Sequence, residues 1–434
     1  MNWENFYASH TVTAEEAVRH IHPGCKLVTG HACASPETLL AALVKRAPEL
    51  RDVSIIHMVA MGESTYCSPC YRDSFRHVAL FAGSSTRLAI AEGRADYIPC
   101  FFNEVPRMLR DGPLRPDAAF IMVSPPDAHG YVSLGVSADY TREAAIQAEL
   151  VIAEVNPNMP RVMGNAFLHV SDISWFVPVN TPLIELPVPR IGQVENAIGR
   201  HAASLVQDGD CLQLGIGAIP DAVLSFLHDK RELGIHSEMI SDGAMNLILE
   251  GVITNSRKQL LPGRSVVSFV MGSARLYRWL HNNPSVELHP VDWVNDPRVI
   301  GQNNNVVSIN SAISIDLLGQ AAADMLGTRQ FSGAGGQVDF IRGAAFSRGG
   351  RSIIALPATA SGGNISRICT GLAPGQAVTT SRNDIDFVVT EYGIAALRGK
   401  TVLERAKALI GIAAPQYREQ LQKEARTLYG WTLE

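Results

Sequence analysis

Several stretches of this chain carry side chains whose types and spacing can do chemistry. The first is Leu212-Gln213-Leu214-Gly215-Ile216-Gly217-Ala218-Ile219-Pro220, which reads as a strand, a glycine turn and a helix start. Glycines let an anion approach the backbone, and a helix start offers unpaired N–H groups with a favourable dipole. Gly215, Ile216, Gly217, Ala218 and Ile219 are therefore candidate binding residues, with a tight turn that holds no ligand as the plain alternative. Glu238 follows roughly 20 residues later, which imitates a dinucleotide fingerprint. Two details weaken that oxidoreductase reading. Pro220 stands where a third glycine would be, and Glu238 lies within Ile235-His236-Ser237-Glu238-Met239-Ile240 instead of closing an apolar strand.

A second stretch, Phe331-Ser332-Gly333-Ala334-Gly335-Gly336-Gln337-Val338-Asp339-Phe340, sets three glycines beside an amide and a carboxylate. Adjacent glycines free backbone N–H groups to face a developing oxyanion, so Gly335 and Gly336 are candidates for that role. A flexible turn is the alternative. A third stretch, Val389-Thr390-Glu391-Tyr392-Gly393, ends an apolar run on a carboxylate. Glu391 can be a nucleophile, or it can cap a helix or pair with Arg398. Spacing alone leaves Glu238 and Glu391 tied. His236 can serve Glu238 as an acid or base, or be a hydrogen-bonded structural residue.

The elements that must position these groups recur. Thr13 to Glu16 has capping-box spacing, and helical periodicity continues to Ile21 before Pro23-Gly24. A strand-like run Cys25–Thr29, Gly30, a small-residue loop His31–Pro36 and a helical Glu37–Lys45 follow. The same grammar returns with helix residues Val194 to Leu205, the stop Asp208-Gly209, the strand Cys211–Leu214 and the Gly215 loop. Gly24 with Gly209, and Gly30 with Gly215, share an offset of 185 residues. Two related open α/β domains are the expectation, each a mostly parallel sheet covered by helices. Four prolines at 178, 182, 187 and 189 interrupt any helix or central strand, which places the boundary between domains 1–185 and 186–434.

The remaining composition excludes other classes. The 434 residues are 46% apolar and carry 37 basic and 42 acidic side chains, enough for two cores and without the basic block that tracks nucleic acid. No apolar stretch reaches bilayer-spanning length and the N-terminus lacks a signal pattern, so a cytoplasmic protein with no membrane partner is expected. Seven scattered cysteines are not a disulfide framework. Cys67 and Cys70 form one C-x-x-C without a second ligand pair, so no metal site is assigned. Zinc-protease, serine-hydrolase and P-loop motifs are absent.

Taken together, Gly215 to Asp221, Leu233-Gly234-Ile235-His236-Ser237-Glu238-Met239, Gly335 to Phe340 and Thr390-Glu391-Tyr392-Gly393 resemble the acetyl-CoA hydrolase/transferase family, from about Trp3 to the C-terminus. The resemblance implies two α/β domains of the CoA-transferase type with the active site in the cleft between them. The first would face the acyl group, and the second would bind CoA and supply the catalytic glutamate. It also breaks the tie: the catalytic carboxylate falls to Glu238, the CoA loop to Gly215–Ile219 and a position near the thioester to Gly336, leaving Glu391 structural or supporting. It further implies CoA transfer between a short-chain acyl-CoA and a small carboxylic acid through a glutamyl-CoA thioester, with hydrolysis on the same scaffold as the alternative. Coenzyme A and acyl-CoA would be substrates with no permanently bound cofactor, and a homo-oligomer is expected. Ala34, Ser35, Met61 and Gly62, small residues with one thioether, are candidates to surround the acyl group or simply to pack.

Overall fold

A computed structural model describes residues 2–432. The chain divides into two compact units: Met1–Pro187 with Val266–Val294, and Val188–Ser265 with Asn295–Glu434. The second unit is therefore not the continuous stretch from 186 that the prolines suggested. Residues 266–294 belong with the first unit because Glu287 and Leu288 pair in parallel with Met163 and Gly164. Gly164 is required there: it has φ +99°, and a Cβ would lie 2.3 Å from the Leu288 carbonyl oxygen. Ala274 N–H also donates to Glu185 at 2.8 Å, and Tyr277 Oη donates to the Ile184 carbonyl at 2.9 Å.

The first unit is built on seven parallel strands: β1 (Lys26–Thr29), β2 (Val53–His57), β3 (Phe75–Ala79), β4 (Ala95–Tyr97), β5 (Ala118–Val123), β6 (Leu150–Val155) and β7 (Trp175–Pro178). Their order is β7-β6-β5-β1-β2-β3-β4. Ala-Ala-Phe-Ile-Met-Val in β5 is buried at every residue, the continuous apolar run expected of a strand covered on both faces. The Thr13/Glu16 capping box forms as read from the sequence and starts the helix Ala14–Ala17.

The second unit has β8 (Cys211–Leu214), β9 (Gly234–Ile235), β10 (Val306–Ser311), β11 (Arg351–Ala355), β12 (Phe387–Thr390) and β13 (Gly393–Ala396), in the order β9-β8-β10-β11-β12-β13. Only the last pair is antiparallel.

The two sheets repeat one another. Reading outward, β2-β1-β5-β6-β7 corresponds to β9-β8-β10-β11-β12, so each unit threads its strands in the same spatial sequence. The offset of 185 residues extends into the loops. Gly24 and Gly209 both have positive φ, at +77° and +80°, and so do Ala32 (+51°) and Gly217 (+114°). Ala32 is fully buried with its N–H on the Val59 carbonyl, so a non-glycine residue holds the left-handed conformation that its counterpart meets with glycine.

Candidate active site

The run that carries Glu238 is fixed at almost every residue. Gly234 N–H donates to the Asp210 carbonyl and Ile235 N–H to Asn255 Oδ1, both at 2.8 Å. Lys258, almost fully buried, donates from Nζ to the carbonyls of Ile235 at 2.8 Å and Arg264 at 2.6 Å. His236 N–H reaches the Leu212 carbonyl, and Ser237 Oγ donates to the Leu214 carbonyl at 3.2 Å. That contact ties the Glu238 run to the last residue before the Gly215 loop. Ionised donors make the stronger hydrogen bonds, so the Lys258 brace is a large part of this rigidity.

His236 is fully buried and tilted against Phe340 at 6.3 Å between ring centroids. Its imidazole lies in the core of the second unit. Glu238 itself is half-buried. Asn295 Nδ2 donates to Glu238 Oε2 at 2.8 Å, and Asn295 is completely buried. A Cβ on Gly336 would come within 2.0 Å of Glu238 Oε2 and 2.3 Å of Asn295 Nδ2. The missing side chain is thus the room in which this pair sits. Gly335 has φ +53° and turns the chain into Gly336, the N-cap of the helix Gln337–Phe346. A carboxylate beside a helix N-terminus is favoured by the helix dipole. The structure therefore brings together Glu238 and Gly336, with Gly335 shaping the approach, and adds Asn295.

Asn295 was not among the residues singled out from the sequence. Its local context, Val294-Asn295-Asp296-Pro297, signals only a helix start, and Asp296 is the residue that caps Pro297–Ile300. Gln337 turns away from Glu238 and donates to Thr380 Oγ1 at 2.9 Å, and Asp339 is buried.

The Gly215 loop joins β8 to the helix Ala218–Leu224. Gly217 at φ +114° makes the turn, and a Cβ at 215 or 217 would meet nothing within 4 Å. Ile216 is 42% exposed and no side chain caps the helix. The loop is open, with backbone available to a ligand. Just behind it, Asp221 is pushed up to about 6 by burial and by the neighbouring Asp242.

Glu391 has a different task. Its Oε2 accepts the Ala358 N–H at 2.8 Å, which anchors the chain after β11, and its charge faces Arg367. Arg398, the partner considered from sequence, bonds Asp386 instead. Cys67 is half-buried and its thiol is pushed up to about 12 by burial, which makes it a poor nucleophile. Among the described residues no group of three His, Cys, Asp or Glu side chains can hold a metal ion.

A carboxylate that accepts from a buried amide, beside glycine backbone and a helix start, is equipped to act as a nucleophile on a carbonyl, with donors nearby to steady the charge that follows. Comparisons with known proteins agree in kind. Residues 1–188 match the acetyl-CoA hydrolase/transferase N-terminal domain, and residues 272–425 match the C-terminal domain of the same name. The 4-hydroxybutyrate coenzyme A transferase of Clostridium kluyveri is 55% identical over 98% of this chain and 99% of its own length. The succinyl-CoA:cyclohexane-1-carboxylate CoA transferase of Geobacter metallireducens is 43% identical over 98% and 97%. The crystal structure of RipA from Yersinia pestis superposes with a TM-score of 0.95 at 39% identity, covering 99% of this chain and 100% of that one.

Proposed function

Because the chain belongs to the acetyl-CoA hydrolase/transferase family, we propose that it transfers coenzyme A between a short-chain acyl-CoA and a small carboxylic acid, with Glu238 as the covalent carrier. The observation that carries this reading is the Asn295–Glu238 hydrogen bond set into the space over Gly336. A hydrogen bond from a fully buried amide holds the carboxylate in a fixed, preorganised place, the condition under which a weak nucleophile becomes effective.

A free carboxylate exchanges poorly with a thioester, so a relay is needed. Glu238 attacks the acyl-CoA carbonyl, the C–S bond breaks, and a mixed anhydride and CoA thiolate result. The thiolate then attacks the glutamyl carbonyl, the original acid leaves as its carboxylate, and CoA stays on Glu238 as a thioester. An incoming carboxylate runs the same steps in reverse, and the sequence takes up no net proton. Each addition develops an oxyanion, for which the backbone N–H groups around Gly335-Gly336 and Gly217-Ala218 are the donors in this account. The exposed Gly215–Ile219 loop holds CoA, whose long tail supplies binding energy remote from the reacting carbon. The acid is a short one, and acetate, butyrate, 4-hydroxybutyrate and a dicarboxylate such as succinate or itaconate are the alternatives to be tested.

Incubation with an unlabelled acyl-CoA and a panel of isotopically labelled short acids tests the reading. Label entering the acyl-CoA pool is the expected result. Release of free CoA without label transfer would make the protein a hydrolase, with water taking the thioester on Glu238.

A further inference from the structure

The loop that brings Gly336 up to Glu238 is held at both ends by one dipeptide in the same unit. Residues 331–336 run from the short strand Arg329–Gln330 to the helix Gln337–Phe346. At the entry, the Asp324 carbonyl accepts the N–H groups of Phe331 at 2.8 Å and Ser332 at 3.0 Å. Ser332 Oγ adds a bond to the Ala323 carbonyl at 3.1 Å. Thr379 fixes this corner: its Oγ1 accepts the Ala323 N–H at 2.7 Å and donates to Asp324 Oδ1. At the exit, Gln337 Nε2 donates to Thr380 Oγ1 at 2.9 Å. Two adjacent hydroxyls thus pin the loop where it begins and where it ends.

The dipeptide is anchored in turn. The N–H groups of Thr379 and Thr380 reach the Ala321 carbonyl at 2.9 and 3.0 Å, and the Ala321 N–H returns to the Thr380 carbonyl at 3.0 Å. Thr380 is completely buried, and Asp324 and Gln337 are nearly so. Between its pinned ends the loop has little of its own to hold it. Three of residues 333–336 are glycines, whose wide conformational freedom makes order there depend on outside contacts. Among the described residues the N–H groups of 333–336 take part in no hydrogen bond; one 3.3 Å bond from the Gln337 N–H to the Ala334 carbonyl closes the turn. Those N–H groups include the ones that face an oxyanion in the mechanism above. Because a Cβ on Gly336 would lie only 2.0 Å from Glu238 Oε2, a small shift of this backbone reaches the carboxylate.

We propose that Thr379 and Thr380 are positioning residues for the transfer reaction: their hydroxyls set where the 333–336 backbone lies against Glu238, and they act through that loop and not on the reacting atoms. The inference rests on the CoA-transfer reading above.

The test follows the rate and extent of CoA uptake from an acyl-CoA by intact mass, with kcat and the KM for acyl-CoA, in Thr380→Val, Thr380→Ser, Thr379→Val and Gln337→Met. Thr380→Val keeps the shape and removes the acceptor. It should take up CoA to the same extent as the wild type but about tenfold or more slowly, with kcat lowered alike and KM within about twofold. Thr379→Val, which frees the entry, should slow uptake in the same way. Thr380→Ser, which keeps the hydroxyl, should return the rate to within about threefold of wild type. Gln337→Met breaks the same bond from its other side and carries the test if Thr380→Val does not fold. Uptake within about twofold of the wild-type rate in the folded variants would overturn the proposal, as would equal slowing in Thr380→Ser. A smaller fraction of chains reacting at the wild-type rate, the mark of damage to folding alone, would overturn it too. Failure of the wild type to take up CoA or to transfer it to any acid would instead overturn the reading on which it rests.

Discussion

Asn295 donates to Glu238 at 2.8 Å across the space left by the side chain that Gly336 lacks. That bond restrains the carboxylate that attacks the carbonyl in the proposed mechanism. Replacing Asn295 with Ala removes that restraint, and a hydrogen bond to a charged group is worth about 1.5–3 kcal/mol. The kcat should fall roughly 10- to 100-fold with a smaller change in KM, as steady-state kinetics would show.

Gly336→Ala places a methyl 2.0 Å from Glu238 Oε2, where the carboxylate has to move. Misplacing a reacting group by an ångström costs about 100-fold. Activity should fall by about that factor or more, and because the methyl also comes within 2.3 Å of Nδ2 of the buried Asn295, the thermal midpoint should fall while the protein still folds. Measuring both on the same preparation separates a displaced carboxylate from an unfolded protein.

Lys258→Met removes an ammonium that bonds the carbonyls of Ile235 and Arg264 and leaves both acceptors without it. Losing charge-assisted bonds of this kind should cost about 3 kcal/mol of stability, read from the denaturant midpoint. Because Ile235 lies three residues before Glu238, the folded fraction should also turn over more slowly.

Glu154 is buried in β6, and burial raises its pKa from the usual carboxylate range to about 7. A raised folded pKa means that the native state holds its proton more tightly than the unfolded chain. Its contribution is therefore fully present below about 4.5 and is lost as pH rises through about 7. Glu154→Gln, which does not ionise, should gain stability relative to the wild type as pH rises across that window, approaching about 3 kcal/mol near pH 8. Denaturation curves at pH 5 and pH 8 check the sign; a stability of Glu154→Gln relative to the wild type that falls from pH 5 to pH 8 would contradict it.

What could be read in advance was local. The Thr13 capping box, the strand–glycine–helix grammar around Gly30 and Gly215 and the 185-residue echo all follow from neighbouring residues, and all have counterparts in the folded chain. What escaped depends on contacts between distant segments. The return of 266–294 to the first unit rests on a short pairing of Glu287-Leu288 with Met163-Gly164, which no periodicity announces. Asn295 reaches Glu238 from 57 residues away and looks like part of a helix cap in its own neighbourhood.

The ranking of Glu238 over Glu391 shows the same limit. Glu391 follows an apolar run and Glu238 lies within the run 235–240, but nothing in either setting distinguishes a nucleophile from an anchor. The folded chain gives Glu391 a backbone N–H from Ala358 to hold and gives Glu238 an amide, a glycine and a helix start. The distinction lies in what surrounds each carboxylate.

The central claim is that Glu238 carries CoA covalently, and intact-mass measurement tests it most directly. The protein is incubated with an acyl-CoA in the absence of acceptor acid, alongside Glu238→Ala and Glu391→Ala. The account expects a CoA-sized mass increase on the wild type and on Glu391→Ala, and none on Glu238→Ala; an undiminished adduct on Glu238→Ala would contradict it.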